Sequence, residues 1–385
     1  MSWGVYLHLP FCRSRCRYCA FYSGEPLHLL PELVRQLETE VRLRRDTVPD
    51  QPVGSVYFGG GTPGLLAPEQ VAAVLAAIEC YWGLLPEVEV TLEVNPGDVL
   101  PWYALRAAGI TRLSVGVQAL ENALLRRLGR RHTAEQARVA VREAAAAGFS
   151  GVSADLMVGL SGLTPGMLSE WVTDLARDGA NHLSVYGLEL HPGTELTEEV
   201  ATGRFRPASD QLEERQYQAV ERTGARQGFD LYEVSNFARP GHQCRHNLNY
   251  WTRGAYLGLG PGAHSYLPER GTWGSRFWND PDLGAYLNAL RSGRLPPSGG
   301  EGLTREQALL EQLFLDLRRP GAISLPQLAA RFVLSPETCV QVFREISVKG
   351  FFRMETDGLA TPTRAAMRRA DGLALAIQER LLQAA

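Results

Sequence analysis

The first two-thirds of the chain alternates short β-like runs with amphipathic helical stretches, and this alternation limits the fold more than any other feature. Such alternation is typical of βαβ units, in which helices cover the outer face of a parallel sheet. Each unit takes about 30 residues, which is enough for a strand and its crossover helix. The predicted strands are Val5–Leu9, Gly54–Phe58, Val88–Val94, Arg112–Val117, Val152–Val158 and His182–Leu188.

Helical pattern follows each of these strands. The predicted helices are roughly Pro31–Arg45, Pro68–Trp82, Trp102–Ala108, Asn122–Leu128, Ala134–Ala147, Pro165–Asp178 and Gln211–Gln227. Six units are too few to close a complete (β/α) barrel. The sequence therefore predicts an α/β fold built as a partial (β/α)6 barrel with an open side.

The remainder of the chain predicts two further regions. Glycine and proline become frequent between Phe237 and Pro297, with little helical periodicity, so residues 236–300 are expected to be a loop-rich segment following a barrel of residues 1–235. Residues 301–385 read as three helices, a two-stranded wing and a last helix, which predicts a winged-helix-like α+β module. No basic recognition helix stands out in it, so we expect a docking module rather than a nucleic-acid reader.

Charge and cysteine usage narrow the function classes. The formal net charge of −3 gives no electrostatic reason to expect nucleic acid or an anionic membrane as partner. No run of 18 apolar residues predicts a transmembrane segment, and the first ten residues lack a signal-peptide pattern, so a cytoplasmic location is expected. Three of the six cysteines fall within eight positions, which favours metal or cluster chemistry over disulfides.

Those three cysteines, Cys12, Cys16 and Cys19, form a C-x3-C-x2-C array directly after the first strand. Three thiolates on one loop can hold three irons of a [4Fe–4S] cluster and leave the fourth iron without a protein ligand. A zinc site with Cys244 or a histidine as fourth ligand is the alternative. Zinc sites, however, usually show paired C-x2-C spacings, and only Cys16 and Cys19 form such a pair.

Polar residues also stand near the carboxyl ends of the predicted strands. A glycine-rich turn, Gly59–Pro63, ends the second strand, and Glu93, Gln118 and Asp155 lie in the next three. The carboxyl ends of barrel strands line the active site in barrel enzymes, so these residues predict a ligand site. Strand-end capping is the alternative for any one of them.

The cysteine array and the strand-end residues resemble those of radical SAM proteins, which use S-adenosyl-L-methionine (SAM). Within them, the chain is similar to oxygen-independent coproporphyrinogen III oxidases and HemW-type heme chaperones over essentially its whole length. The resemblance implies a TIM-like radical SAM barrel, a [4Fe–4S] cluster and SAM. The residues that the resemblance assigns to SAM are Tyr6, Gly60, Gly61, Thr62, Glu93, Gln118, Arg130 and Asp155.

Two features separate these two groups. The oxidases carry a fourth cysteine two positions after the third ligand, and this chain has Phe21 at that position. The oxidases also have an N-terminal extension before the cluster, and only eleven residues precede Cys12 in this sequence. The stretch His246–Trp251 matches the H-N-x-x-Y-W signature of HemW-type chaperones, and this resemblance implies that His246 binds heme. His191 and Cys244 are candidates for a second heme ligand.

The sequence therefore predicts a heme chaperone that transfers heme to apo-hemoproteins, with the oxidase as the alternative. No motif identifies the electron donor. A homodimer is a possible oligomeric state, which the sequence does not decide. Whether the protein also acts as an enzyme is left open.

Overall fold

The computed structural model describes residues 2–355 and 357–383, which form one large sheet flanked by helices and one small sheet. The large sheet has twelve strands. They are β1 (Trp3–Leu9), β2 (Val53–Gly60), β3 (Leu84–Val94), β4 (Arg112–Gln118), β5 (Gly151–Val158), β6 (His182–Gly187), β7 (Asp230–Glu233), β8 (Asn236–Ala238), β9 (Tyr256–Leu259), β10 (His264–Leu267), β11 (Ser275–Asn279) and β12 (Ser298–Gly302). The small sheet consists of β13 (Ile323–Ser324), β14 (Phe352–Met354) and β15 (Leu359–Pro362).

The helices follow the strands in the order expected of βαβ units. They are α1 (Leu30–Leu43), α2 (Pro68–Trp82), α3 (Trp102–Ala107), α4 (Asn122–Arg127), α5 (Ala134–Ala146), α6 (Pro165–Arg177), α7 (Glu195–Ala201), α8 (Asp210–Arg226), α9 (Arg245–Trp251), α10 (Leu283–Arg291), α11 (Arg305–Asp316), α12 (Leu325–Phe332), α13 (Pro336–Ser347), α14 (Arg364–Met367) and α15 (Ala370–Gln383). None of the helices in the described part of the chain is long and apolar enough to span a membrane.

Strands β1 to β6 pair in parallel and in chain order, which confirms the predicted partial barrel. Strands β1, β2, β4 and β5 are almost fully buried because helices cover one face and the barrel interior covers the other, whereas β3 is partly exposed at its start and β6 at its end. Helix α1 shows the matching pattern, since Leu33, Leu37 and Val41 recur every four residues and face the core. The sheet ends at β7 on one side and at β12 on the other, so the barrel is open.

The segment 236–300 is more regular than the sequence predicts. Strand β9 pairs in parallel with β1, and β10 to β12 extend that edge as an antiparallel meander. These strands have only four or five residues each, which is too short for a clear alternation of polar and apolar positions. The strands of this loop-rich segment therefore leave no clear signal in the sequence.

Residues from Leu303 onward, together with Tyr266 of β10, form a second hydrophobic core. Helices α11 to α15 surround it, and the three-stranded sheet supplies the wing. The predicted winged-helix-like arrangement is thus confirmed. Ion pairs from Arg364 and Arg368 to Glu214 and Glu221 join this module to helix α8 of the barrel.

Candidate cofactor site at the barrel mouth

A cavity of about 730 Å³ opens at the carboxyl ends of β1 to β6. This volume is in the range of ligand pockets that bury a small organic molecule. Ten of the twelve residues predicted from the sequence line it, and only Tyr6 and His246 do not. The ten are Cys12, Cys16, Cys19, Gly60, Gly61, Thr62, Glu93, Gln118, Arg130 and Asp155.

The three cysteines lie on the loop after β1, and all are free and partly exposed thiols. The loop is fixed by backbone hydrogen bonds, including one of 3.1 Å from the Cys19 N–H to the Cys16 carbonyl. Thr62 Oγ1 lies 3.5 Å from Cys12 Sγ, and Arg130 Nη1 lies 3.4 Å from Cys16 Sγ. Both groups can donate a hydrogen bond to sulfur, and such donors stabilise thiolates, the form that binds iron.

The three thiols do not converge on one point. Among residues 2–355 and 357–383, no group of three or more His, Cys, Asp or Glu side chains is arranged to hold a single metal ion. A cube-shaped cluster takes one thiolate on each of three separate irons, so it fits three cysteines spread over one loop.

The glycine turn at the end of β2 lies directly against the cysteine loop. The Gly61 N–H donates to the Leu9 carbonyl at 2.8 Å, and the Thr62 N–H donates to the Phe11 carbonyl at 2.8 Å. A Cβ atom on Gly61 would stand 2.5 Å from the Phe11 carbonyl oxygen, and one on Gly60, at φ +110°, 2.7 Å from the His8 ring. Only glycine fits at both positions, so the backbone itself faces the cavity.

Glu93, at the end of β3, carries a carboxylate held by two donors. Tyr57 O–H donates to Oε1 at 3.0 Å, and the Gly60 N–H donates to Oε2 at 3.2 Å. Burial inside the barrel raises the pKa of Glu93 to about 7, although the Tyr57 hydrogen bond acts in the opposite direction. A carboxyl group with this pKa can exist in either protonation state near neutral pH.

Asp155, on β5, is the second carboxyl group of the cavity. Ser114 Oγ donates to it at 2.9 Å, and Ser153 Oγ donates at 2.9 Å. Burial raises the pKa of Asp155 to about 6, against the opposing effect of these hydroxyl donors. The two carboxyl groups thus lie on strands β3 and β5, with β4 between them.

Gln118 and Arg130 complete the wall on the side of β4. Gln118 has φ +62°, a left-handed conformation that is unfavourable for a residue with a side chain. Arg130 donates to Asn95 Oδ1 at 2.6 Å and to the Gly116 carbonyl at 2.8 Å. Backbone strain at a cavity wall is typical of functional sites.

Tyr6 lies below the cavity rather than in its wall. Its hydroxyl is 3.0 Å from His8 Nδ1, and its ring centroid is 6.2 Å from that of Tyr57. Tyr57 in turn contacts Glu93, so Tyr6 supports the cavity floor through one intermediate side chain.

His246 lies on helix α9 against β1 to β3, outside the cavity wall but directly behind Tyr57, whose ring centroid is 5.1 Å from that of His246. Its side chain is 1% exposed. Its Nδ1 is 2.9 Å from Ser55 Oγ, and its Nε2 is 2.9 Å from the Tyr250 hydroxyl. Burial lowers the pKa of His246 to about 3. In this arrangement neither ring nitrogen is free to bind iron.

Glu89 fixes the start of helix α9 from β3. Its carboxylate accepts the backbone N–H of Arg245 and of His246, each at 3.0 Å. Cys244 Sγ also lies 3.4 Å from Glu89 Oε1, and burial raises the pKa of this thiol to about 12. Cys244 is therefore a neutral, enclosed thiol that does not join the other three cysteines.

Comparison with known proteins places the chain in a family. The sequence profile of the Radical SAM superfamily matches residues 6–175. The heme chaperone HemW of Mycobacterium tuberculosis is 36% identical over 333 residues, covering 85% of this chain and 84% of that protein. The heme chaperone HemW of Bacillus subtilis is 30% identical over 356 residues, covering 90% of this chain and 91% of that protein.

The chain belongs to the HemW family of radical SAM proteins. Its fold is also similar to that of the coproporphyrinogen III oxidase HemN from Escherichia coli, a radical SAM enzyme. That likeness has a TM-score of 0.80 at 19% sequence identity and covers 99% of this chain and 90% of the other.

Membership of the radical SAM superfamily implies a [4Fe–4S] cluster and SAM, and the residues at the mouth fit both groups. The three free thiols with their two polar donors suit an iron–sulfur cluster. The side-chain-free turn at Gly60 and Gly61 and the carboxylates of Glu93 and Asp155 offer acceptors for amino and hydroxyl groups beside it.

Several polar residues that line this HemW-family cavity were not predicted from the sequence, among them Tyr57, Asn95 and Ser114. Asn95 Nδ2 donates to Thr62 Oγ1 at 3.0 Å while its Oδ1 accepts from Arg130, so it joins the glycine turn to the arginine. The position of Asn95 could have been predicted from the sequence. Asn95 follows Glu93 by two positions, and residues at that spacing along extended chain share a face.

Proposed function

We propose that this protein is a heme chaperone that binds heme and transfers it to apo-hemoproteins, with a [4Fe–4S] cluster and SAM as cofactors. The observation that carries the proposal is the identity of 36% and 30% to proteins named heme chaperone HemW, in alignments spanning most of both chains. The H-N-x-x-Y-W stretch His246–Trp251 supports it. We also propose that the protein acts in the cytoplasm, where its thiols stay reduced.

Cys12, Cys16 and Cys19 are proposed as the cluster ligands. A bound cluster with one open iron supplies a site that SAM can chelate and an electron for its chemistry. The chain's own residues then orient SAM. Arg130 is proposed to pair with its carboxylate, because a guanidinium binds a carboxylate through two parallel hydrogen bonds.

The remaining SAM contacts are proposed for the strand ends. Gly60, Gly61 and Thr62 present backbone groups to the amino end of SAM. Glu93, Gln118 and Asp155 accept or donate hydrogen bonds to its ribose or amino acid end. Tyr6 holds this wall from below through Tyr57.

His246 is proposed as a heme ligand that becomes available when helix α9 moves. Iron binding requires one ring nitrogen to lose its partner, either Ser55 Oγ or the Tyr250 hydroxyl. Each such hydrogen bond contributes about 0.5–1.5 kcal/mol. The binding free energy of a strong ligand can therefore offset the loss of one of these bonds. Heme transfer to an acceptor is compatible with a site that closes again after release.

The test is heme binding and transfer by anaerobically reconstituted protein. Heme-loaded protein should convert an apo-hemoprotein, such as an apo-cytochrome, to its holo form, and His246→Ala should bind heme more weakly. Equal heme binding by wild type and His246→Ala would remove His246 from the proposal. Failure of the wild type to bind or transfer heme would refute the function itself.

The alternative is an oxygen-independent coproporphyrinogen III oxidase, favoured by the overall fold likeness to such an enzyme. The residue at position 21 argues against an oxidase, because the oxidases have a cysteine at this position of the motif and this chain has Phe21. Incubation with coproporphyrinogen III and SAM distinguishes the two. Formation of protoporphyrinogen together with 5′-deoxyadenosine would select the oxidase.

A further inference from the structure

One histidine lines the cavity at the barrel mouth, and it is not His246. His191 follows β6 and precedes helix α7, and its side chain is 46% exposed. It is the only histidine among the described residues that line this cavity. A ligand that enters from solvent meets this imidazole before it can reach any buried one.

The ring of His191 is set up as a metal ligand. Its Nε2 lies 3.2 Å from Glu189 Oε2, so the carboxylate faces the Nε2 side of the ring at ion-pair distance. Within the described part of the chain, Nδ1 has no hydrogen-bond partner, so the tautomer with its proton on Nε2, toward Glu189, leaves the Nδ1 lone pair free. Metal-binding histidines commonly donate one ring N–H to a carboxylate and bind the metal through the other nitrogen.

The contrast with His246 is direct. Both ring nitrogens of His246 are hydrogen bonded and its side chain is enclosed, whereas His191 has one free nitrogen at an open surface. In the conformation described here, an iron atom can therefore reach His191 without any rearrangement of the fold.

The surroundings of His191 suit heme, whose ring is flat and apolar and carries carboxylate groups. Phe21 is 70% exposed and Tyr186 is 46% exposed, and both line the same cavity. Leu190, next to His191 in the chain, is also exposed. Large apolar side chains gathered at a cavity mouth mark a binding surface, and the exposed guanidinium of Arg15 offers a partner for a carboxylate.

We propose that the barrel mouth is a solvent-accessible heme site in which His191 Nδ1 binds the iron, Glu189 holds the imidazole, and Phe21 and Tyr186 cover the ring. This inference rests on the proposed heme chaperone function and names a second place where heme is held. The mouth receives heme in the closed conformation when SAM is absent, because both molecules would occupy the same cavity of about 730 Å³. His246 binds heme only after helix α9 opens.

The experiment is titration of anaerobically reconstituted full-length protein with hemin, followed by the Soret absorption band. His191→Ala should weaken hemin binding by roughly tenfold or more, because an axial ligand is lost. Added imidazole should restore the absorption spectrum of the His191→Ala protein. His28→Ala is the matched control, since His28 is also exposed but does not line the cavity, and it should bind hemin like the wild type.

The outcomes separate this inference from the function on which it rests. Wild-type binding that is unchanged in His191→Ala but lost in His246→Ala would overturn the mouth site and leave the proposed function intact. Absence of hemin binding by the wild type would overturn both. Loss of binding in His191→Ala without rescue by imidazole would also count against His191 as the ligand, because it would indicate a structural effect.

Discussion

Glu93→Gln should make the protein more stable at alkaline pH while weakening SAM binding. Burial raises the pKa of Glu93 from 4.5 to about 7, so the folded protein holds this proton more tightly than the unfolded chain. A raised carboxyl pKa lowers the free energy of unfolding as pH rises between these two values. The stability contribution is therefore present in acid and lost above pH 7. Glutamine makes similar hydrogen bonds but carries no charge to bury.

The magnitude follows from the two pKa values. Integrating the proton linkage between pH 5 and pH 8 gives a loss of about 2.5 kcal/mol for the ionisation of Glu93, at about 1.4 kcal/mol for each pKa unit. The stability difference between Glu93→Gln and wild type should thus grow by about that amount over this pH range. The same substitution should weaken SAM binding, because it replaces an ionised acceptor by a neutral amide.

Urea denaturation at pH 5 and at pH 8 measures the stability difference, and equilibrium dialysis with SAM at pH 8 measures binding. Glu87→Gln is the matched control, because Glu87 lies on the same strand but is exposed. The control should show neither the pH-dependent stabilisation nor the loss of SAM binding. A Glu93→Gln protein that is no more stable than wild type at pH 8 would show that Glu93 is not desolvated in the fold.

Three further changes have defined outcomes. Arg130→Lys should raise the dissociation constant of SAM roughly tenfold in equilibrium dialysis, because lysine cannot form the two parallel hydrogen bonds of a guanidinium; unchanged affinity would refute the carboxylate pairing. Gln118→Gly should raise the free energy of unfolding by up to about 1 kcal/mol, because it relieves the strain at φ +62°, and should reduce SAM binding; a loss of stability in denaturation would contradict the strain. Tyr250→Phe should lower stability by about 1 kcal/mol and strengthen hemin binding, because His246 Nε2 loses its partner; hemin binding equal to wild type would argue against binding through that nitrogen.

The fold of the barrel was predictable because its signals are local. Each parallel strand is a short apolar run, and each helix of two turns or more carries an apolar face, so β1 to β6 were predicted to within about four residues at either end. Most exceptions are short elements, although helix α10 was missed despite the helical spacing of its buried residues Leu283, Tyr286, Leu287 and Leu290. Helix α7, with seven residues, and the strands of the 256–302 edge carry too few residues to show a period.

The cavity was also largely predictable, because the carboxyl ends of parallel strands must meet at one edge of the sheet. Glu93 and Gln118 stand at such ends, Asp155 lies in the carboxyl-terminal half of β5, and the cysteine loop follows β1. The enclosure of His246 was not predictable. Its partners are Ser55, 191 residues away in the chain, and the Glu89 carboxylate, 157 residues away. A local sequence pattern does not predict contacts between residues so far apart in the chain.

The three-cysteine cluster site is tested most directly by the iron and sulfide content of anaerobically reconstituted protein, together with its electron paramagnetic resonance spectrum after reduction. A cluster held by three cysteines should give about four irons and four sulfides for each chain, and a spectrum that changes when SAM is added, because SAM binds the iron without a cysteine ligand. Replacing Cys12, Cys16 and Cys19 together by alanine should abolish all three signals. Zinc without sulfide would show that the three cysteines hold no iron–sulfur cluster. A cluster whose spectrum is unchanged by SAM would show that no iron is open to SAM.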